Sequence, residues 1–147
     1  MWKNLRYIDV IESDHAPHTI EEKEGKNPPF GVPGLETTLP LLLTAASEKR
    51  LTIEDIIRLC HTNPAKIFGI RQFDSSNYRT KVEADLSEKY TIENKSLLTK
   101  CKWSPFDGMK VKGKVKRVFI RGKKVFENGK VLVKPGFGEI LKAIDRT

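Results

Sequence analysis

The apolar positions change period several times along the chain. Tyr7-Ile8-Asp9-Val10-Ile11 is a β-branched run that ends in Glu12, Ser13 and Asp14, and it predicts a strand entering a polar loop. Pro17 breaks regular structure within Asp14-His15-Ala16-Pro17-His18. Residues 19–27 are charged and predict a mobile loop, and residues 28–34, rich in Pro and Gly, predict a rigid turn. Helical spacing follows. Leu39, Leu42, Leu43 and Ala46 form one face, with Thr37 or Thr38 as cap and Pro40 tolerated in the first turn. A second helix starts at Thr52, where Asp55 three residues on completes a capping box. Its predicted buried stripe is Ile53, Ile56, Ile57 and Cys60. Asn63-Pro64 opens a third, short helix that Gly69 stops. From residue 70 to about 100 the pattern is weak, with a turn or linker at Asp74-Ser75-Ser76-Asn77. Val115–Arg121, Lys124–Glu127 and Lys130–Val133 then read as three short strands, joined by turns at Gly122-Lys123 and Asn128-Gly129.

Length and composition narrow the class. The 147 residues fit one modest domain and fall short of a complete (β/α)8 barrel, which needs about 250. No apolar run is long enough to span a bilayer, and the first ten residues lack the features of a signal peptide. Cys60 and Cys101 form no CxxC pair, so a reducing, cytoplasmic setting is expected, with Cys60 packed in the core. His61, at a helix end, is expected to be a cap or a packed residue rather than a ligand. The net charge is +8, yet Lys100 to Lys134 holds 12 Lys and Arg against 2 Asp and Glu, a net +10. These cations alternate with apolar residues, which predicts a solvated strand face. No nucleic-acid motif accompanies them, so no nucleic-acid partner is expected, and no membrane partner either.

The candidate chemistry lies in Ser13-Asp14-His15-Ala16-Pro17-His18-Thr19. One carboxylate and two imidazoles follow a predicted strand, which is where barrel enzymes place catalytic groups. An aspartate there can bind Zn²⁺ through oxygen at about 2.0–2.2 Å. A carboxylate touching both a metal and its water can take the water's proton and pass it to a leaving nitrogen. Pro17 stiffens the loop that aims His18, whose imidazole could bind a substrate carboxylate. A helix cap or an ordinary surface loop would contain the same residue types, and three histidines in all cannot build a binuclear site.

The strings SDHAPHT, EEK, PPFGVPGLETTLPLLL and NPAKIFG resemble the C-terminal third of dihydroorotase, a member of the metal-dependent amidohydrolase superfamily. CKWSPFDG and VFIRGKKVFENGKV resemble the same family's C-terminal tail. The resemblance runs from Ile8 to Val133 and is weak from Arg71 to Ser96. NPAKIFG is shared by many cyclic amidohydrolases, whereas hydantoinases and allantoinases usually lack the second histidine of DHAPH.

The resemblance implies an α/β fold: the last strand and following helices of a (β/α)8 amidohydrolase barrel, plus part of a small antiparallel β-sandwich. On that mapping residues 1–70 end the barrel, 71–100 form a junction and 101–147 belong to the sandwich. It implies that Asp14 binds the metal, zinc, and acts as general base and acid. It implies that His18 contacts the substrate carboxylate, and that the backbone of Phe30 and Gly31 meets the pyrimidine ring or that carboxylate. His15 is assigned support, and Trp103 and Phe106 packing. The implied reaction interconverts N-carbamoyl-L-aspartate and L-dihydroorotate. The family's His-x-His pair and its other metal ligands are not in this sequence. The chain is therefore expected to be inactive alone, to need a complementing N-terminal barrel chain, and in isolation to expose Leu39, Leu42 and Leu43 and tend to aggregate. The alternatives are an inactive remnant or structural partner, and a hydantoinase-type enzyme.

Overall fold

A computed structural model describes residues 2–70 and 80–140. The predicted turn at residues 74–77 lies outside them. The described residues form 3₁₀ segments at Trp2–Tyr7 and Asn94–Ser96 and four α-helices: α1 (Ile20–Lys23), α2 (Thr38–Ser47), α3 (Ile53–Ile57) and α4 (Asn63–Ile67). Four strands follow: β1 (Lys81–Thr91), β2 (Lys110–Ile120), β3 (Lys123–Glu127) and β4 (Lys130–Val131), side by side in that order in one sheet. Two compact units result. One holds residues 2–11, 51–70, 80–85 and 114–140, and the other holds Glu12–Arg50 and Leu86–Gly113.

In the first unit the strand predicted at residues 7–11 does not form. Its backbone is satisfied by the helical segment instead. The Ile11 N–H donates to the Leu59 carbonyl at 3.1 Å, and the Asn63 side-chain amide donates to the Asp9 carbonyl at 2.8 Å. A strand needs a ladder partner for its polar groups, and among the described residues no strand lies beside this one. α3 begins as predicted: the Thr52 hydroxyl accepts from the Asp55 N–H, and the Asp55 carboxylate accepts from the Thr52 N–H. The helix continues through a π-helical turn, Arg58–Thr62, into α4, which carries Pro64 in its first turn. The buried side of this run is Ile56, Leu59 and Ala65. Ile57, Cys60 and His61 are exposed, which corrects the predicted stripe and the core placement of Cys60. The buried Ile56 and Leu59 keep helical spacing, so the buried face lies round from the predicted stripe and leaves Ile57 and Cys60 outside it. Protein packed around Cys60 still pushes its thiol up.

The hairpins of the first unit follow local chemistry closely. β2 and β3 are antiparallel with a bulge between Val118 and Phe119, and β3 and β4 are antiparallel through Phe126–Val131 and Glu127–Lys130. The β2–β3 turn is Arg121-Gly122, one residue earlier than predicted, with φ of 51° and 80°. The β3–β4 turn is Asn128-Gly129, with φ of 45° and 85°. Two successive positive φ values suit a two-residue turn whose twist matches the strands it joins. Arg117 pairs with Glu127 at 3.0 Å and Glu83 at 3.2 Å. Lys124 and then Arg117 hold the Glu127 carboxyl below its ordinary range.

In the second unit α2 packs on β2. Thr44 accepts at its hydroxyl from the Lys112 N–H at 2.9 Å, and Leu43 lies against Gly113, where a Cβ would fall 2.6 Å from the Leu43 Cβ. Leu42, Leu43 and Ala45 are buried with Ile92, Leu97 and Val111, so Leu42 and Leu43 are not the exposed residues expected of the isolated chain. Thr37 precedes α2 but does not cap it: the Thr37 and Thr38 hydroxyls both donate to the Gly34 carbonyl. β1 was not legible in the weak pattern of residues 70–100. Val82, Ala84 and Leu86 do alternate there with Lys81, Glu83, Asp85 and Ser87, but Val82 and Leu86 are exposed and the period is lost after Ser87.

Candidate functional site

Asp14 to Thr19 form an irregular loop in the second unit. Asp14 is exposed, has a φ of 43°, and its N–H donates to the Glu12 carboxylate at 2.7 Å. A non-glycine residue at positive φ is uncommon, and aspartate is among the types that tolerate it. Its carboxylate takes no hydrogen bond among the described residues, so its oxygens are available to a ligand.

The residues around Asp14 hold the loop at three points. His15 Nδ1 accepts from the N–H groups of Gly34, at 3.1 Å, and Leu35, at 3.2 Å. Two donors on Nδ1 require that atom to be unprotonated, which places the proton of the neutral ring on Nε2. The Ala16 N–H donates to the Val32 carbonyl at 3.1 Å, where His15 and Val32 form an isolated parallel bridge. The Trp103 indole N–H donates to the His18 carbonyl at 2.6 Å, from 85 residues away. Trp103 is half-buried and does more than pack, which refines its assignment.

His18 is half-exposed, and its Nδ1 stands 3.4 Å from the Glu22 carboxylate. Glu22 is part of the α1 capping box: the Thr19 hydroxyl accepts from the Glu22 N–H and the Glu22 carboxylate accepts from the Thr19 N–H. The segment predicted to be a mobile loop therefore holds a short, capped helix beside His18.

Gly31 is brought against the motif. Its φ is 99°, and a Cβ there would lie 2.4 Å from the Ala16 Cβ, so the position takes no side chain. Phe30 is 98% exposed, its ring available rather than packed. Lys23 donates from Nζ to the carbonyls of Pro29, at 2.7 Å, and Gly31, at 3.1 Å. Lys23 was not singled out from the sequence. The signal was there: a turn rich in Pro and Gly leaves carbonyls without ladder donors, and a lysine lies a few residues away. Glu36 was also missed. Its carboxylate accepts from the N–H groups of Leu98 and Thr99, at 2.9 and 2.7 Å. A small cavity beside His15, bounded by Glu36, Thr99 and Trp103, has about 10 Å³ of space, enough for about one water.

Among the described residues no three His, Cys, Asp or Glu side chains converge on a point that could hold a metal. A zinc site takes three or four protein ligands. The described residues therefore do not close such a site by themselves.

No protein-family model matches the sequence. The fold is that of solved hydantoinases. L-hydantoinase (dihydropyrimidinase) from Arthrobacter aurescens aligns at a TM-score of 0.87 and 35% identity, over 95% of this chain and 34% of that one. The inactive dihydroorotase-like domain of the Chaetomium thermophilum CAD-like multifunctional protein aligns at a TM-score of 0.71 and 28% identity, over 91% and 37%. The chain is thus similar to part of the amidohydrolases. Within that class its sequence goes with the dihydroorotases: it is 42% identical to the dihydroorotase of Pyrococcus furiosus over 144 residues, 97% of this chain and 34% of that protein. It is 49% identical to the multifunctional protein CAD of Squalus acanthias over 143 residues, 97% of this chain and 6% of that protein. The chain therefore spans about a third of the length of the dihydroorotases it matches.

Proposed function

We propose that this chain supplies the Asp14 loop of a dihydroorotase that interconverts N-carbamoyl-L-aspartate and L-dihydroorotate. The supporting observation is the loop itself. An unpartnered carboxylate at Asp14 and a half-exposed imidazole at His18 stand on one segment, and Gly31 is packed against that segment at Ala16. In this reading the Asp14 carboxylate takes a proton from water and returns it to the ring nitrogen that leaves. The His18 imidazole binds the substrate carboxylate. The Phe30–Gly31 backbone borders the ring, on a turn that Lys23 holds rigid. The family's zinc would be held by Asp14 together with residues outside this chain, where it would activate a water for attack on the ring amide. Residues 1–70 then correspond to the barrel end, 71–100 to the junction and 101–147 to the sandwich portion. The setting is read as cytoplasmic from the two unpaired cysteines, Cys60 and Cys101.

Dihydroorotase turnover, measured with the chain alone and with a polypeptide supplying the rest of a dihydroorotase barrel, tests this. The expected result is none alone and measurable turnover when complemented. Asp14→Asn should lower that turnover by about 10² to 10⁴-fold. The likeness to the inactive dihydroorotase-like domain favours a second reading, a structural role without catalysis. Complementation that never yields turnover, with a stable complex still formed, would select it.

A further inference from the structure

The basic segment that stands out in the sequence is sorted by the fold. Arg117, Arg121 and Lys124 are spent on carboxylates, Lys102 on the Leu97 carbonyl, and Lys114 and Lys116 also have partners. Lys100, Lys130 and Lys134 meet no acceptor among the described residues, and neither do the ammonium groups of Lys89, Lys110 and Lys112. The last three line one open groove of about 540 Å³ within the second unit, walled on its other side by Thr44, Ser47 and Glu48 at the end of α2. Glu48 is the groove's carboxylate, and Arg50 already occupies it at 2.9 Å. The Thr44 and Ser47 hydroxyls donate to carbonyls of their own helix, so the groove's unmet demand is cationic.

We propose that this groove binds a linear polyphosphate anion. Three ammonium-bearing side chains along one groove raise the local concentration of a multivalent anion. Lysine serves phosphate as a compact point charge that needs no fixed fork geometry. The volume lies within the range of small-ligand sites, about 300–1,000 Å³. A polynucleotide would need a longer track, and the cations that follow Lys112 along β2 are already engaged. The proposal does not rest on the reading of the Asp14 loop.

The test is calorimetric titration of the 147-residue chain with inorganic tripolyphosphate and, separately, with a nucleoside triphosphate. The expected result is one-site saturation that weakens as salt is raised. Lys89→Gln, Lys110→Gln and Lys112→Gln should each weaken binding about tenfold, while Lys100→Gln and Lys130→Gln leave it unchanged. Because Lys89 lies on β1 and the other two on β2, a folding defect in one strand leaves a second reading of the site. Equal affinity for both ligands assigns the phosphate chain as the whole recognition element, and tighter nucleotide binding adds the nucleoside to it. Titration without saturation, equal weakening by Lys100→Gln and Lys130→Gln, or tighter binding of a single-stranded oligonucleotide overturns the proposal.

Discussion

The β2–β4 hairpins and the Asp14 loop are both short, exposed at their tips and punctuated by residues at positive φ, yet they are held in opposite ways. In the hairpins each strand finds its partner after a two-residue turn, as at Asn128-Gly129. In the loop the stabilising contacts come from far along the chain: Gly34 and Leu35 to His15, and Trp103 to His18. A segment whose partner is next in sequence forms from local rules. A segment whose backbone must be satisfied from 85 residues away is only as ordered as the rest of its unit. Loops that carry chemistry are often of the second kind, since their geometry is set by the scaffold rather than by themselves.

That contrast can be broken from either side. The largest effect is expected from Gly31→Val, which puts a β-branched side chain at a φ of 99° and against Ala16. It should destabilise the second unit by about 3 kcal/mol or more, with loss of hydrogen-exchange protection at the Ala16 amide. Trp103→Phe keeps an aromatic body and removes the donor to the His18 carbonyl. A loss of about 1 kcal/mol in denaturant unfolding is expected, with faster exchange confined to the loop. Full protection of the loop in that variant would mean His15 alone suffices. Gly129→Ala strains the hairpin turn by about 1 kcal/mol. Its exchange effects should stay within β3 and β4, and spread into residues 13–18 would contradict the independence of the two regions.

The smallest effect is a pH dependence at α3. The Thr52 backbone hydrogen bond, and then the Arg58 guanidinium, hold the Asp55 carboxyl below its ordinary range. A group depressed in the folded state stabilises it above the unfolded aspartate value, about 4, and that contribution is lost as pH falls through the lower folded value. Helical circular dichroism should therefore fall as acid is added below about pH 4. Asp55→Asn, which removes the titrating carboxylate, should flatten that limb of the curve.

The elements legible in the sequence were those with local cause. The α3 capping box needs only Thr52 and Asp55, and the two-residue turns need only their glycines, so both were readable along the chain. The motif residues Asp14, His18 and Gly31 were readable as a pattern for the same reason: their chemical types and spacing are properties of the chain. The tertiary structure decided the rest. It placed the backbone of residues 7–11 against a helix instead of a ladder, and turned Cys60 outward. It recruited Lys23, Glu36 and Trp103 as supports for the loop, and within the basic segment gave Lys102, Lys114, Lys116 and Lys124 partners while setting Lys110 and Lys112 along a groove. Each of these depends on which donors and acceptors lie across space, and a one-dimensional pattern does not contain that information.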